Sequence, residues 1–134
     1  MPAYERSRFE PPAPVAIVEL RNPTNGAVLP GVHLLIDSGA DVTLLPEDAV
    51  KTLQGTIEKG RQYQLTAFDG STTMASSIRL DLLFLNRTFR GFYLLTGQEY
   101  GILGRNILNH IVVLLSGPQE EWKEGEDAEI FRDR

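Results

Sequence analysis

The chain has no cysteine, which excludes disulfides and thiolate metal sites. It also lacks any apolar run approaching the roughly 18 residues a spanning helix needs, so no membrane partner is expected. The opening Met1-Pro2-Ala3-Tyr4-Glu5-Arg6 holds no apolar signal-peptide core, and a cytoplasmic location fits. Histidine is scarce. His33 and His110 stand alone, with no metal-ligand spacing, so no metal is expected. No serine–histidine arrangement and no phosphate-cradling glycine loop stands out. A basic excess is missing too. The net charge is -5, of which -4 belongs to residues 120–134. The body is nearly neutral, which argues against a nucleic-acid partner.

What is present suits one globular domain: 134 residues, 42% hydrophobic and 23% charged. Three segments are expected. Residues 1–14 carry Pro2, Pro11, Pro12 and Pro14 and read as an extended, poorly ordered lead-in. Residues 15–117 form the domain, closed by Gly117-Pro118. Residues 118–134 form a solvated acidic tail, in which Trp122, Ile130 and Phe131 are the only candidates for docking.

Within the domain, Val15 to Leu20 and Val28 to Ile36 read as strands flanking a turn at Asn22-Pro23-Thr24-Asn25-Gly26. Pro46-Glu47-Asp48 opens a short predicted helix that Gly55 could end. Gln62 to Phe68 and Ser71 to Ser77 read as a hairpin turning at Asp69-Gly70. Ile78 to Leu85 and Thr88 to Leu95 follow about Asn86-Arg87. A short strand at Gly101 to Gly104, a helical turn or two from Arg105 to His110 and a last strand from Ile111 to Leu115 complete the domain. Many short strands with frequent turns predict an all-β barrel or sandwich.

One stretch holds the candidate chemistry. Leu34-Leu35-Ile36 runs into Asp37-Ser38-Gly39-Ala40-Asp41. Asp and Gly disfavour strand interiors, so the apolar run ends there. A carboxylate at the end of a buried strand is costly unless a partner or a function holds it. Hydrolysis of a peptide by water needs a base for the water and an acid for the departing nitrogen. Two carboxylates sharing one proton serve both needs, the general behaviour of aspartic dyads. The chain has a single Asp-Ser/Thr-Gly, so a dyad would need Asp37 from a second subunit on a two-fold axis. The bland alternative is a strand-ending turn in which Asp37 bonds its own loop.

The Asp37-Ser38-Gly39-Ala40-Asp41 turn, together with Ile102-Leu103-Gly104-Arg105-Asn106, resembles the retropepsins, the retroviral-type aspartic proteases. The resemblance spans roughly residues 15–116. It implies a small closed acid-protease-like barrel with a flap hairpin and one or two short helices, as a two-fold symmetric homodimer. It implies an aspartic endopeptidase acting on a peptide or protein substrate, with Asp37 catalytic and no cofactor. Ser38 and Gly39 would support the site, and Ala40, Ile102 and Leu103 would line the substrate cleft. Phe68, Asp69, Gly70 and Ser71 would form the flap, with fewer glycines than viral flaps. Asp41 and Arg105 would pair and support the dimer. The alternative in a different class is a non-catalytic module of the same fold that dimerises or binds peptides.

Overall fold

The computed structural model describes residues 2–53, 59–67 and 69–126. The fold is all-β. Strand β1 (Val15–Arg21) alternates from Ala16 to Leu20, with Ala16, Val18 and Leu20 buried and Ile17 and Glu19 exposed. Such a strand must bury one face, and β2 (Val28–Ile36) pairs with it antiparallel through a turn in which the Asn22 side chain accepts the Thr24 N–H at 2.9 Å. Gly26 takes a positive φ of 76° in that turn, a conformation that favours glycine.

The remaining strands are β3 (Leu44–Pro46), β4 (Lys59–Thr66), β5 (Thr72–Phe84), β6 (Arg87–Thr96), β7 (Gly101–Leu103), β8 (Val113–Ser116) and β9 (Glu121–Glu124). Helices α1 (Glu47–Lys51) and α2 (Arg105–Leu108) are single turns. The order β1-β2-β7-β3-β6-β5 closes because β1 also pairs with β5, from Glu19↔Leu83 to Arg21↔Asp81. A register shift between Val18 and Leu20 lets β1 serve both neighbours. The result is a six-stranded closed barrel with β4 added outside β5. Leu20, Leu34, Leu45, Leu80, Leu82 and Leu103 fill it.

Several local expectations change. Ser71–Ser77 and Ile78–Leu85 are one strand, β5, that runs from the flap into the barrel wall. Its turn to β6 is Leu85-Asn86, both at positive φ, one residue earlier than predicted. Strand β3 was not expected; three residues are too few for a periodic signal. Gly55, the expected helix stop, lies outside the described residues, as do Ile130 and Phe131.

Both ends of the chain differ most. Gly117-Pro118 does not close the fold but begins the turn into β9, which pairs with β8. Trp122 on β9 is buried against Phe84, and its indole N–H donates to the Val15 carbonyl at 3.1 Å. An aromatic of this size, once its N–H is satisfied, stabilises the fold by burial, and the acids around it can stay in solvent at no cost. The lead-in docks on the same hairpin: Tyr4 N–H donates to Glu120 O at 2.7 Å and Trp122 N–H to Pro2 O at 3.0 Å. Between them, residues 5–13 loop out and return through paired Glu5 and Ala13 backbone bonds of 2.7 and 3.1 Å. That loop is pinned by an Arg8–Glu99 ion pair and by Phe9 edge-on to Tyr100 at 5.2 Å.

Candidate active site

Asp37 follows the last residue of β2, where parallel pairing with β7 ends at Ile36↔Leu103. Its own N–H continues the ladder, donating to Leu103 O at 3.1 Å. The chain then turns away. Ala40 N–H returns to Asp37 O at 3.2 Å, and the Gly39 N–H donates to Asp37 Oδ1 at 2.9 Å. The bland reading of Asp37 as a turn acid is thus half met: one carboxylate oxygen is engaged by its loop. The residue is half-buried, and no hydrogen bond from a described residue reaches Oδ2.

The two motifs are bonded to each other. Arg105 N–H donates to Ala40 O at 2.8 Å, and its guanidinium donates to Ser38 O at 2.8 Å. Thr43, fully buried, accepts the Gly104 N–H at 3.0 Å and donates to Asn106 Oδ1 at 2.7 Å. Gly104 is glycine because the backbones cross here: a Cβ would lie 2.2 Å from Val42 O. Residues some 60 positions apart are therefore fixed as one unit carrying Asp37. Thr43→Val should leave the buried Gly104 N–H without an acceptor and cost roughly 1–3 kcal/mol. A urea midpoint matching the parent's would show that this bond does not hold the loop.

The expected Arg105–Asp41 ion pair does not form within one chain. Asp41 is exposed and has no ion pair among the described residues, and Arg105 braces the Ser38 carbonyl instead. The α2 turn begins one residue after Gly104, which places the guanidinium under the loop rather than beyond it. Leu103, expected in the cleft, is fully buried in the barrel core. Its neighbour Ile102 faces the other way and is half-buried. Sequence reasoning missed Leu35 and Leu44, which stand directly beside Ile102 in the β2-β7-β3 register and are also half-buried. Leu35 shares Asp37's face of β2, two residues away. The signal was in the alternation: in Leu34-Leu35 and Leu44-Leu45 one leucine fills the core, leaving the other for the opposite face. Ala40 is half-buried in the loop itself.

Of the flap residues, Phe68 lies outside the described residues. Asp69, Gly70 and Ser71 form the tip, closed by Ala67 N–H to Ser71 O at 2.9 Å and Gly70 N–H to Ala67 O at 3.0 Å. Asp69 Oδ1 accepts the Ser71 hydroxyl at 2.6 Å and the Ser71 N–H at 2.9 Å. These bonds hold the Asp69 carboxyl below the usual carboxylate range, the side-chain bond contributing most. A depressed pKa means that the capped turn is supported above the unfolded value and loosens as pH falls through the folded one. The tip should therefore stay capped in mildly acidic solution. In an NMR titration the Ser71 amide should move with a midpoint below 3.8; a midpoint at or above that value would show that the cap does not form.

His33 lies edge-on to Tyr100 at 5.5 Å, and the His110 carbonyl accepts from Arg87 at 2.6 Å. No group of three metal-ligating side chains occurs among the described residues.

No family model matches the chain, and no curated protein does. Among solved structures the chain is similar to EIAV protease complexed with the inhibitor HBY-793. Identity is 25% over 78% of this chain and 90% of that one, with a TM-score of 0.55. A closed six-stranded barrel, with its Asp-Ser-Gly turn bonded to an Ile-Leu-Gly-Arg-Asn turn and that likeness over most of both chains, is a retropepsin-like fold.

Proposed function

We propose that the protein is an aspartic endopeptidase that works as a homodimer, with one Asp37 from each subunit. The observation that carries this is the braced loop. Asp37 is held at a strand end by Leu103, Thr43, Gly104 and Arg105, while Ser38 and Gly39 beside it remain exposed. In the dimer one carboxylate takes a proton from the attacking water. The other, protonated, supplies the proton that the departing nitrogen needs. An extended substrate would meet Leu35, Leu44 and Ile102 on the same face, with Ala40 at its edge, and the 69–71 hairpin tip would close over it. No cofactor enters this chemistry. A cytoplasmic site of action belongs to the same reading.

The surface beside the loop supports a second copy as partner. Ser38 borders an open cavity of about 310 Å³ whose walls include Ile36, Leu108, Ile111 and Leu115. Leu115 is 54% exposed on β8. β9 has Ala3 on its far side, whereas the far edge of β8 pairs with no described residue. An apolar patch and an open edge together are what a covering chain would remove from solvent.

A statine-type peptide, which mimics the tetrahedral species, tests the reading. It should bind at protein concentrations where sedimentation velocity finds dimer and release as dilution yields monomer. Binding without cleavage of any peptide in a diverse pool would favour the non-catalytic module. Turnover by a strict monomer would refute the shared dyad.

A further inference from the structure

A second charged cluster lies on the outer barrel wall, away from the Asp37 loop. Asp81 on β5 stands between Arg21 on β1 and Arg90 on β6, its registered neighbours on either side. Asp81 is 4% exposed although it lies on the outer wall, with the part-buried Arg21 side chain bonded to it. Arg21 donates through Nε at 3.2 Å and Nη2 at 2.9 Å to the same oxygen, Oδ2. Arg90 Nε lies 3.6 Å from the other oxygen, Oδ1. Two residues before Asp81 on the same strand comes Arg79, whose guanidinium has no hydrogen bond or ion pair with a described residue. All four, with Asn22, border one concavity of about 490 Å³.

The charge balance is uneven. Three arginines and a single carboxylate border the concavity, a local excess of two positive charges on a chain of net charge -5. The buried carboxylate fixes Arg21 through two hydrogen bonds, so its remaining N–H groups are oriented before any ligand arrives, while the Arg90 side chain, 76% exposed, stays open to one. Planar guanidinium donors match carboxylate oxygens in pairs. Phe92, directly across from Arg79 and 53% exposed, adds an apolar contact beside the charges.

We propose that Arg21, Arg79 and Arg90 form a docking site for the carboxylate side chains of a short acidic peptide segment, with Phe92 taking an adjacent apolar residue. A long polyanion such as nucleic acid fits poorly, since beyond this patch it would meet a net negative protein. The site does not depend on the protease reading, and it can be tested with that chemistry removed.

The experiment uses the full-length Asp37→Asn protein and a fluorescent Glu-Glu-Phe-Glu-Glu peptide, followed by anisotropy at low salt. The peptide should bind and weaken as salt rises. Arg79→Gln should weaken binding about threefold, and Arg79→Gln with Arg90→Gln about tenfold, as expected for partly exposed charge contacts. Both side chains are exposed, so the fold should survive, which circular dichroism verifies. Arg6→Gln removes one charge at a distant ion pair with Glu120 and should leave binding unchanged. Unchanged affinity in the Arg79/Arg90 double variant would overturn the site. An equal loss in Arg6→Gln would reduce it to net charge. Tighter binding of inorganic phosphate or duplex DNA than of the peptide would overturn the assignment of the ligand.

Discussion

Asp37→Asn should abolish peptide cleavage and leave the barrel folded. Asn keeps the shape of Asp and an oxygen at the position that accepts the Gly39 N–H at 2.9 Å, so the turn has no reason to open. The bonds that hold the loop from outside, Asp37 N–H to Leu103 O and Arg105 to Ser38 O, do not involve the carboxylate. An amide, however, can neither take the proton from water nor share one with its mate. A single acid–base group contributes typically about 10²–10⁴ in rate, and here both members of the dyad are lost in one substitution. The drop should therefore exceed the upper end of that range. Turnover of a cleavable peptide measures it. Trp122, the only tryptophan and buried in the core, reports the fold in the same samples by its emission. Near-normal turnover in a folded variant would refute the mechanism.

Gly104→Ala should have a large effect on stability for a single added methyl. Its backbone, at φ -95° and ψ -176°, is one any residue adopts, so the constraint is steric and not conformational. The new Cβ would lie 2.2 Å from Val42 O, 2.5 Å from Val42 C and 3.1 Å from Ala40 O. All three are backbone atoms of the loop that carries Asp37, and none can rotate away as a side chain could. Overpacking a core commonly costs about 1–3 kcal/mol, and contact with fixed backbone belongs at or above that upper value. Against a total of roughly 5–15 kcal/mol, the loss takes a large share of stability. Gly39→Ala is the contrast, since its Cβ would meet only the Asp37 side chain, Oδ1 at 3.1 Å. It should cost little stability and act on activity by moving that carboxylate. Chemical denaturation of both variants separates the effects. Equal midpoints for Gly104→Ala and the parent would mean that the two loops are not packed as described.

Much of the fold was legible from local patterns. The alternation of Val15 to Leu20, the Asn-Gly turn and the break of Leu34-Leu35-Ile36 at Asp37 are written in neighbouring residues, because strand period and turn chemistry act over two to five positions. The pairing of the Asp37 loop with Ile102-Leu103-Gly104 was legible only through resemblance, since nothing local relates positions so far apart. The tertiary structure decided what local pattern leaves open. It sent Leu103 inward and left Leu35, Leu44 and Ile102 on the face of Asp37, a choice of register that each leucine pair alone permits both ways. It turned Arg105 to the Ser38 carbonyl and not to Asp41, because the start of α2 fixes the direction of that side chain. It drew Trp122 out of an acidic stretch and the proline-rich lead-in onto β9. Composition marks both segments as solvated. Burial of one large aromatic with its N–H bonded to Val15 O depends on Phe84 of β5 and Val15 of β1 being brought together, which no local pattern encodes.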